Sequence, residues 1–119
     1  MKRSARLYIN DILEYMDRAE NYVMSFSFEA FCKEEKTCDA VIRCIEVIGE
    51  AVKNIPETIR NQYPLIPWRE IAGMRDKIIH AYFAVDFETV WLVVKEEIPR
   101  LKPHIKQVLK DLNNSTEAE

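Results

Sequence analysis

Glycine is scarce in this sequence, occurring only at Gly49 and Gly73 in 119 residues. That scarcity excludes a fold built on many tight turns, and with it an all-β sandwich or barrel. No apolar run is long enough to span a bilayer. The N-terminal Met1-Lys2-Arg3-Ser4 leads into an amphipathic segment with Asn10, Asp11 and Glu14, and no apolar signal core follows it. No membrane association is expected. The cysteines are three, Cys32, Cys38 and Cys44, an odd number with no C-x-x-C pair. They signal neither a disulfide framework nor a zinc site. Free thiols buried in a reducing cytoplasm are the expected state. The two histidines, His80 and His104, lie far apart and form no H-x-x-x-H or H-E-x-x-H spacing, so no metal motif is visible. Neither G-x-x-x-x-G-K-[ST] nor G-x-G-x-x-G occurs, so no dedicated nucleotide loop is present and no cofactor is called for. An excess of positive charge is also lacking. Lys and Arg number 17 against 20 Asp and Glu, a net charge of 17 − 20 = −3. Such a chain has no global pull toward nucleic acid. Any RNA binding must come from a local basic patch, which dimerisation could concentrate in a cleft.

What is present is an ordinary globular balance of 48% apolar and 31% charged residues. The length fits one domain, here residues 1–112, followed by a polar tail over 113–119. Ser4 is placed to cap a first helix to about Met24, with an apolar stripe of Ile9, Ile12, Leu13, Met16, Ala19 and Val23. Ser27 is placed to cap a short helix, Phe28 to Cys32, that would pack Phe28 and Phe31. A second long helix is expected from about Lys36 to Asn54, on the stripe Val41, Cys44, Ile45, Ile48, Val52 and Ile55. Gly49 lies inside it. A helical glycine costs roughly 1 kcal/mol against alanine, and close approach of another helix is the simplest compensation. Pro56 suits the first turn of a short helix over Glu57–Asn61. Tyr63 to Pro67 reads as an extended connector.

A further helix is expected from Trp68 to about Ala81, then a link at Phe83-Ala84-Val85, with Asp86 as N-cap of the last helix, Phe87 to about Leu112. Pro99 and Pro103 fall within that helix without breaking its apolar phase, which predicts a kink near Glu97. Helices with short links and no credible strand give an all-α, up-and-down bundle of four main helices plus short ones.

The stretch Trp68 to Asp86 carries the chemistry. Arg75, His80 and Tyr82 stand in the spacing R-x-x-x-x-H-x-Y. Arg75 offers a planar fork of donors that matches a phosphate. His80 titrates near neutral pH and can move a proton. Tyr82 can donate a hydrogen bond, stack on a base or accept a modifying group. On one helix Arg75 and Tyr82 would share a face, with His80 about 140° round from Arg75. The three could converge only beyond the helix end or across its edge, at a surface or a subunit interface. Together they could cleave RNA without a metal. An Arg, a His and a Tyr at arbitrary spacing are, however, more often surface or capping residues than catalytic ones. Other groups are weaker candidates. Glu46 and Glu50, beside Arg43 and Lys53, read as solvated i,i+4 charges. The less favoured alternative is that Glu50 orients Arg75 across a helix contact. Lys102, His104, Lys106 and Lys110 read as a solvated basic face.

The motif has company. Ile48-Gly49-Glu50-Ala51, then Pro67-Trp68-Arg69-Glu70-Ile71-Ala72-Gly73-Met74-Arg75-Asp76-Lys77, then Ile79-His80-Ala81-Tyr82-Phe83, and Val85-Asp86 with Trp91 occur in that order. This pattern resembles the HepT-like branch of the HEPN superfamily, over nearly the whole chain to about Leu112. The resemblance implies a helical bundle that dimerises, with the Arg and His of two subunits facing a shared cleft. It implies an RNase toxin encoded beside a minimal, MntA-like nucleotidyltransferase antitoxin that uses ATP to adenylylate the motif tyrosine. Here those roles fall to Arg75 and His80 for cleavage and to Tyr82 for modification. Asp76 stands where the family often has Asn, and Ala84 where glycine is common. Asp76 places a negative charge beside the phosphate site, which could weaken RNA binding or hold Arg75. The resulting expectation is a cytoplasmic, homodimeric, metal-independent endoribonuclease that leaves a 2′,3′-cyclic phosphate and a 5′-hydroxyl. The alternative is a non-catalytic helical module that binds a nucleotidyltransferase partner or a nucleotide.

Overall fold

A computed structural model describes residues 3–81 and 84–115. Its helices are α1 (Ala5–Val23), α2 (Phe28–Cys32), α3 (Glu35–Lys53), α4 (Glu57–Arg60), α5 (Trp68–Ala72), α6 (Met74–Ile78), α7 (Phe87–Leu92) and α8 (Ile98–Asn113). The fold class is all-α, as the apolar periodicities require. Ser4 caps α1 by accepting from the Leu7 N–H at 3.4 Å, and Ser27 caps α2 by accepting from the Ala30 N–H at 3.1 Å. Pro56 sits one position earlier than expected, at the N-cap of α4. No described helix is long and apolar enough to cross a membrane.

The core is one contiguous cluster. The α1 stripe of Ile9, Ile12, Met16, Ala19 and Val23 meets Val41, Cys44, Ile45, Ile48 and Val52 of α3 and Leu101, Ile105 and Val108 of α8. α2 seals one end through aromatic packing. Phe31 lies 5.4 Å from Trp91 and 6.3 Å from Phe87, centroid to centroid, and Phe28 leans on Trp91 at 5.8 Å. Lys102 ties α8 to α1. Its ammonium is mostly enclosed and contacts Asp17 at 2.6 Å and Glu20. Burial opposes its charge, but the hydrogen bonds to the two carboxylates outweigh that and raise its pKa. Lys102 therefore leaves the expected solvated basic face.

The irregularity expected near Glu97 takes the form of a widened turn. Val93–Glu97 is π-helical, and the Ile98 N–H donates to the Val93 carbonyl five residues back. Pro99 has no N–H to return to the carbonyl of Lys95, and the wider turn accommodates that loss while keeping Val93, Val94 and Ile98 in the core.

Two expectations fail between Trp68 and Asp86. The helix expected to reach Ala81 is broken at Gly73 and ends at Ile78. The segment read as a link contains a strand. Ile79–Ala81 (β1) and Ala84–Val85 (β2) form an antiparallel ribbon that pairs Ile79 with Val85 and Ala81 with Ala84, with an irregular register between them. Gly73 has the lowest helix propensity in the segment, and its N–H closes α5 on the Arg69 carbonyl at 3.0 Å. The β-branched pair Ile78-Ile79 and the aromatic-rich run after it favour extended backbone. The fourth main helix of the bundle is thus two short helices followed by a ribbon.

Candidate active site

Arg75 sits in α6, and its position depends on how closely α6 and its neighbour α5 approach α3. The approach is possible because of Gly49. A Cβ built there would lie 3.0 Å from the Ala72 carbonyl oxygen, tighter than side chains ordinarily pack. The expected reason for a glycine inside α3 is therefore met. One helical turn earlier on α3, Glu46 accepts a hydrogen bond from the Arg75 Nε–H at 3.3 Å. The two contacts are successive rungs of one antiparallel interface. Position 49 meets 72, and three residues back, 46 meets three residues on, 75.

Glu50, the residue considered for orienting Arg75, does not reach it. Its carboxylate instead takes Lys53 Nζ at 3.2 Å, and its side chain is 71% exposed. One residue past Gly49, it is turned about 100° from the α3 face that α5 covers. Asp76 approaches Arg75 loosely. Its Oδ1 lies 3.8 Å from Nη1, beyond hydrogen-bonding distance, on a side chain that is 84% exposed. Glu46 was legible only as one of two solvated charges, because its partner is 29 residues away.

The Arg75 side chain is 46% exposed and that of Glu46 39%. A pair this wet contributes little to stability. It does engage the inner nitrogen of the guanidinium and leaves the Nη1 and Nη2 edge, which can take two phosphate oxygens, turned away from Glu46, with the Asp76 carboxylate loosely beside Nη1. Beyond Glu46 the surface falls into a groove of about 430 Å³ between α1 and α3, bordered by Arg3, Tyr8, Asp11, Arg43 and Glu50. Arg3 lies over the Tyr8 ring at 4.8 Å and is held to Asp11 at 2.6 Å.

The backbone of His80 lies in β1, just past the end of α6. Its side chain, and Tyr82 as a whole, lie outside the described residues. The helix stops at Ile78, so Arg75 and His80 do not share one helix. The junction itself is firmly tied. The Asp86 N–H donates to the Ile78 carbonyl at 2.8 Å, and the Asp86 carboxylate caps α7 through the Thr89 N–H at 3.1 Å and the Thr89 hydroxyl at 2.7 Å. One residue thereby joins the end of α6, the end of the ribbon and the start of α7. His104, the other histidine, stands exposed on α8 beside the connector at Tyr63–Ile66.

Comparison with known proteins agrees with the family resemblance. A Methanocaldococcus jannaschii protein named "Putative RNase MJ1216" is 48% identical over 116 residues, 98% of this chain and 96% of that protein. "Probable ribonuclease HepT" of Thermococcus cleftensis is 49% identical over 110 residues, 92% of this chain and 100% of its own. "Putative RNase TTE0752" of Caldanaerobacter subterraneus subsp. tengcongensis is 41% identical over 108 residues, covering 91% and 96%. No solved structure matches the chain. The family model described as Ribonuclease HepT-like matches residues 12–108, a span that contains Glu46, Gly49, Arg75, His80 and Tyr82. With most of its length matched and relatives near half identity, this chain belongs to the ribonuclease HepT-like family.

Proposed function

We propose that the protein is a metal-independent endoribonuclease that cleaves through Arg75 and His80. The observation that carries this reading is a half-exposed arginine, held at its inner nitrogen by Glu46 and only loosely approached at Nη1 by Asp76, five residues before a histidine at a helix-to-ribbon junction. Family membership supplies the substrate class, RNA. The ribose 2′-oxygen attacks the adjacent phosphorus, and the bond from phosphorus to the 5′-oxygen breaks. His80 takes the 2′-hydroxyl proton or delivers a proton to the leaving 5′-oxygen, with water serving the other transfer. Arg75 stabilises the charge that builds on the equatorial phosphate oxygens. The products are a 2′,3′-cyclic phosphate and a 5′-hydroxyl.

The protein acts as a homodimer, with Arg75 and His80 of two copies lining one cleft, which gives an acidic chain a local site for RNA. It serves as the toxin of a pair whose antitoxin, an MntA-like nucleotidyltransferase, adenylylates Tyr82. A bulky, charged nucleotide two residues from His80 would block access of RNA to the cleft.

Purified protein incubated with RNA in EDTA tests the chemistry. Wild type is expected to cleave, and Arg75→Ala and His80→Ala are expected to be slowed by two or more orders of magnitude. Cleavage that persists in His80→Ala sinks the assignment. Unmodified, dimeric wild type that leaves RNA intact favours instead a non-catalytic module that binds a nucleotidyltransferase or a nucleotide. Sedimentation reports the dimer. Intact-mass measurement after co-expression with the adjacent gene product reports AMP on Tyr82, and Tyr82→Phe is expected to abolish the added mass.

A further inference from the structure

We propose that Glu46 is the positioning residue of the cleavage site, setting the orientation of Arg75 before RNA arrives. The inference rests on the reading of Arg75 as the phosphate ligand. Its structural basis is the rung arrangement on α3. Gly49 admits the Ala72 carbonyl, and that close approach delivers Arg75 to Glu46 one turn away.

An arginine has many rotamers and loses much freedom when it is fixed. Left free on a short surface helix, Arg75 would have to be ordered at the moment of reaction. Glu46 does this in advance. It takes the Nε–H, the one guanidinium donor that points back along the side chain, and so turns the Nη1 and Nη2 edge outward. The neighbouring carboxylates cannot substitute. Glu50 is engaged by Lys53, and Asp76 stands 3.8 Å from Nη1 on a side chain open to solvent. Both partners of the Glu46–Arg75 pair are well exposed, so the pair has little to contribute to folding. Its consequence falls on geometry, where a small misplacement of a charge-stabilising group slows reaction by on the order of a hundredfold.

The test is a mutant cycle read by single-turnover cleavage, RNA affinity, thermal midpoint and the Arg75 Nε–Hε resonance. Glu46→Ala is expected to slow cleavage roughly ten- to a hundredfold, with RNA affinity and thermal midpoint close to wild type. Glu46→Gln keeps an oxygen that can accept the Nε–H, and it is expected to recover most of the lost rate. In Arg75→Ala the further change Glu46→Ala should have no effect, because there is nothing left to position. The Nε–Hε signal of Arg75 should shift and lose order in Glu46→Ala. Wild-type cleavage by Glu46→Ala, or losses that multiply in the double variant, overturns the positioning role. An Arg75 signal unchanged by Glu46→Ala overturns it whatever happens to RNA. Failure of the proposed function is a separate result, seen as no cleavage by wild type or full cleavage by Arg75→Ala.

Discussion

A Cβ at position 49 would stand 3.0 Å from the carbonyl oxygen of Ala72, a backbone atom that cannot swing aside as a side chain would. Replacing Gly49 by alanine gains about 1 kcal/mol in helix propensity. Against this, overpacking a tight contact costs about 1–3 kcal/mol. Gly49→Ala is expected to lower the urea midpoint slightly, and Gly49→Val to lower it much more. Both substitutions push α5 outward and should slow RNA cleavage beyond the loss of folded protein. A Gly49→Ala protein more stable than wild type would mean that α5 yields freely and that the contact does not set the position of α6.

Asp86 holds the far side of the same segment. Its side chain caps α7, while its N–H fastens the ribbon to the end of α6. Asp86→Ala should lose about 0.5–2 kcal/mol, the usual cost of removing an N-cap side chain. Asp86→Asn and Asp86→Ser retain a capping oxygen and should recover most of that loss in chemical denaturation.

The connector that precedes Trp68 is pinned by Tyr63, whose hydroxyl donates to Asp111 Oδ2 at 2.6 Å. Burial, then the hydrogen bond to Asp111, pushes the Tyr63 phenol up to about 12, while the same bond holds the Asp111 carboxyl below its ordinary value. The contribution of Asp111 is thus present at neutral pH and lost as pH falls through its lowered pKa. The contribution of Tyr63 is present below the ordinary phenol value of 10.0 and lost as pH rises toward about 12. Ultraviolet titration of Tyr63→Phe should lack a phenol transition near 12 that wild type shows. In Asp111→Asn that transition should move down only part of the way, because burial is the larger cause. A Tyr63 that titrates at the ordinary phenol value of 10.0 would contradict the contact.

The thiols should separate by environment. Cys38 and Cys44 are buried and Cys32 is exposed. Burial pushes the Cys38 thiol up to about 11 and raises that of Cys44 as well. A thiol reagent at pH 8 should label Cys32 alone in folded protein, and all three after denaturation. Rapid native labelling of Cys38 would show that the α2–α3 end of the core opens readily.

The long elements were legible because their signals are local and repeated. Ser4, Ser27 and Asp86 carry capping oxygens next to apolar stripes, and each caps as its position suggests. Pro99 announced an irregularity within a stripe that kept its phase, although it could not specify a π turn. The run Ile78 to Val85 was harder to read. It is short, apolar and aromatic, and periodicity cannot separate helix from strand over so few residues. Its identity is fixed by pairing, Ile79 with Val85, which a linear reading does not reveal. The Glu46–Arg75 contact was hidden for a related reason. It depends on the register in which α6 lies against α3, and only Gly49 hinted that the two helices meet there at all.

The chain changes pitch at Ile78, between Arg75 and His80. Three residues at helical rise and two at strand rise reach up to about 11 Å, whereas five residues of unbroken helix advance only about 7.5 Å. Seven helical residues would advance about 10.5 Å, nearly the same span. The interval between an arginine and a histidine in such a site is therefore better measured as a length than as a residue count. A relative with two more residues in this interval can preserve the span by delaying the change from helix to ribbon, and one with the same count but no such change cannot.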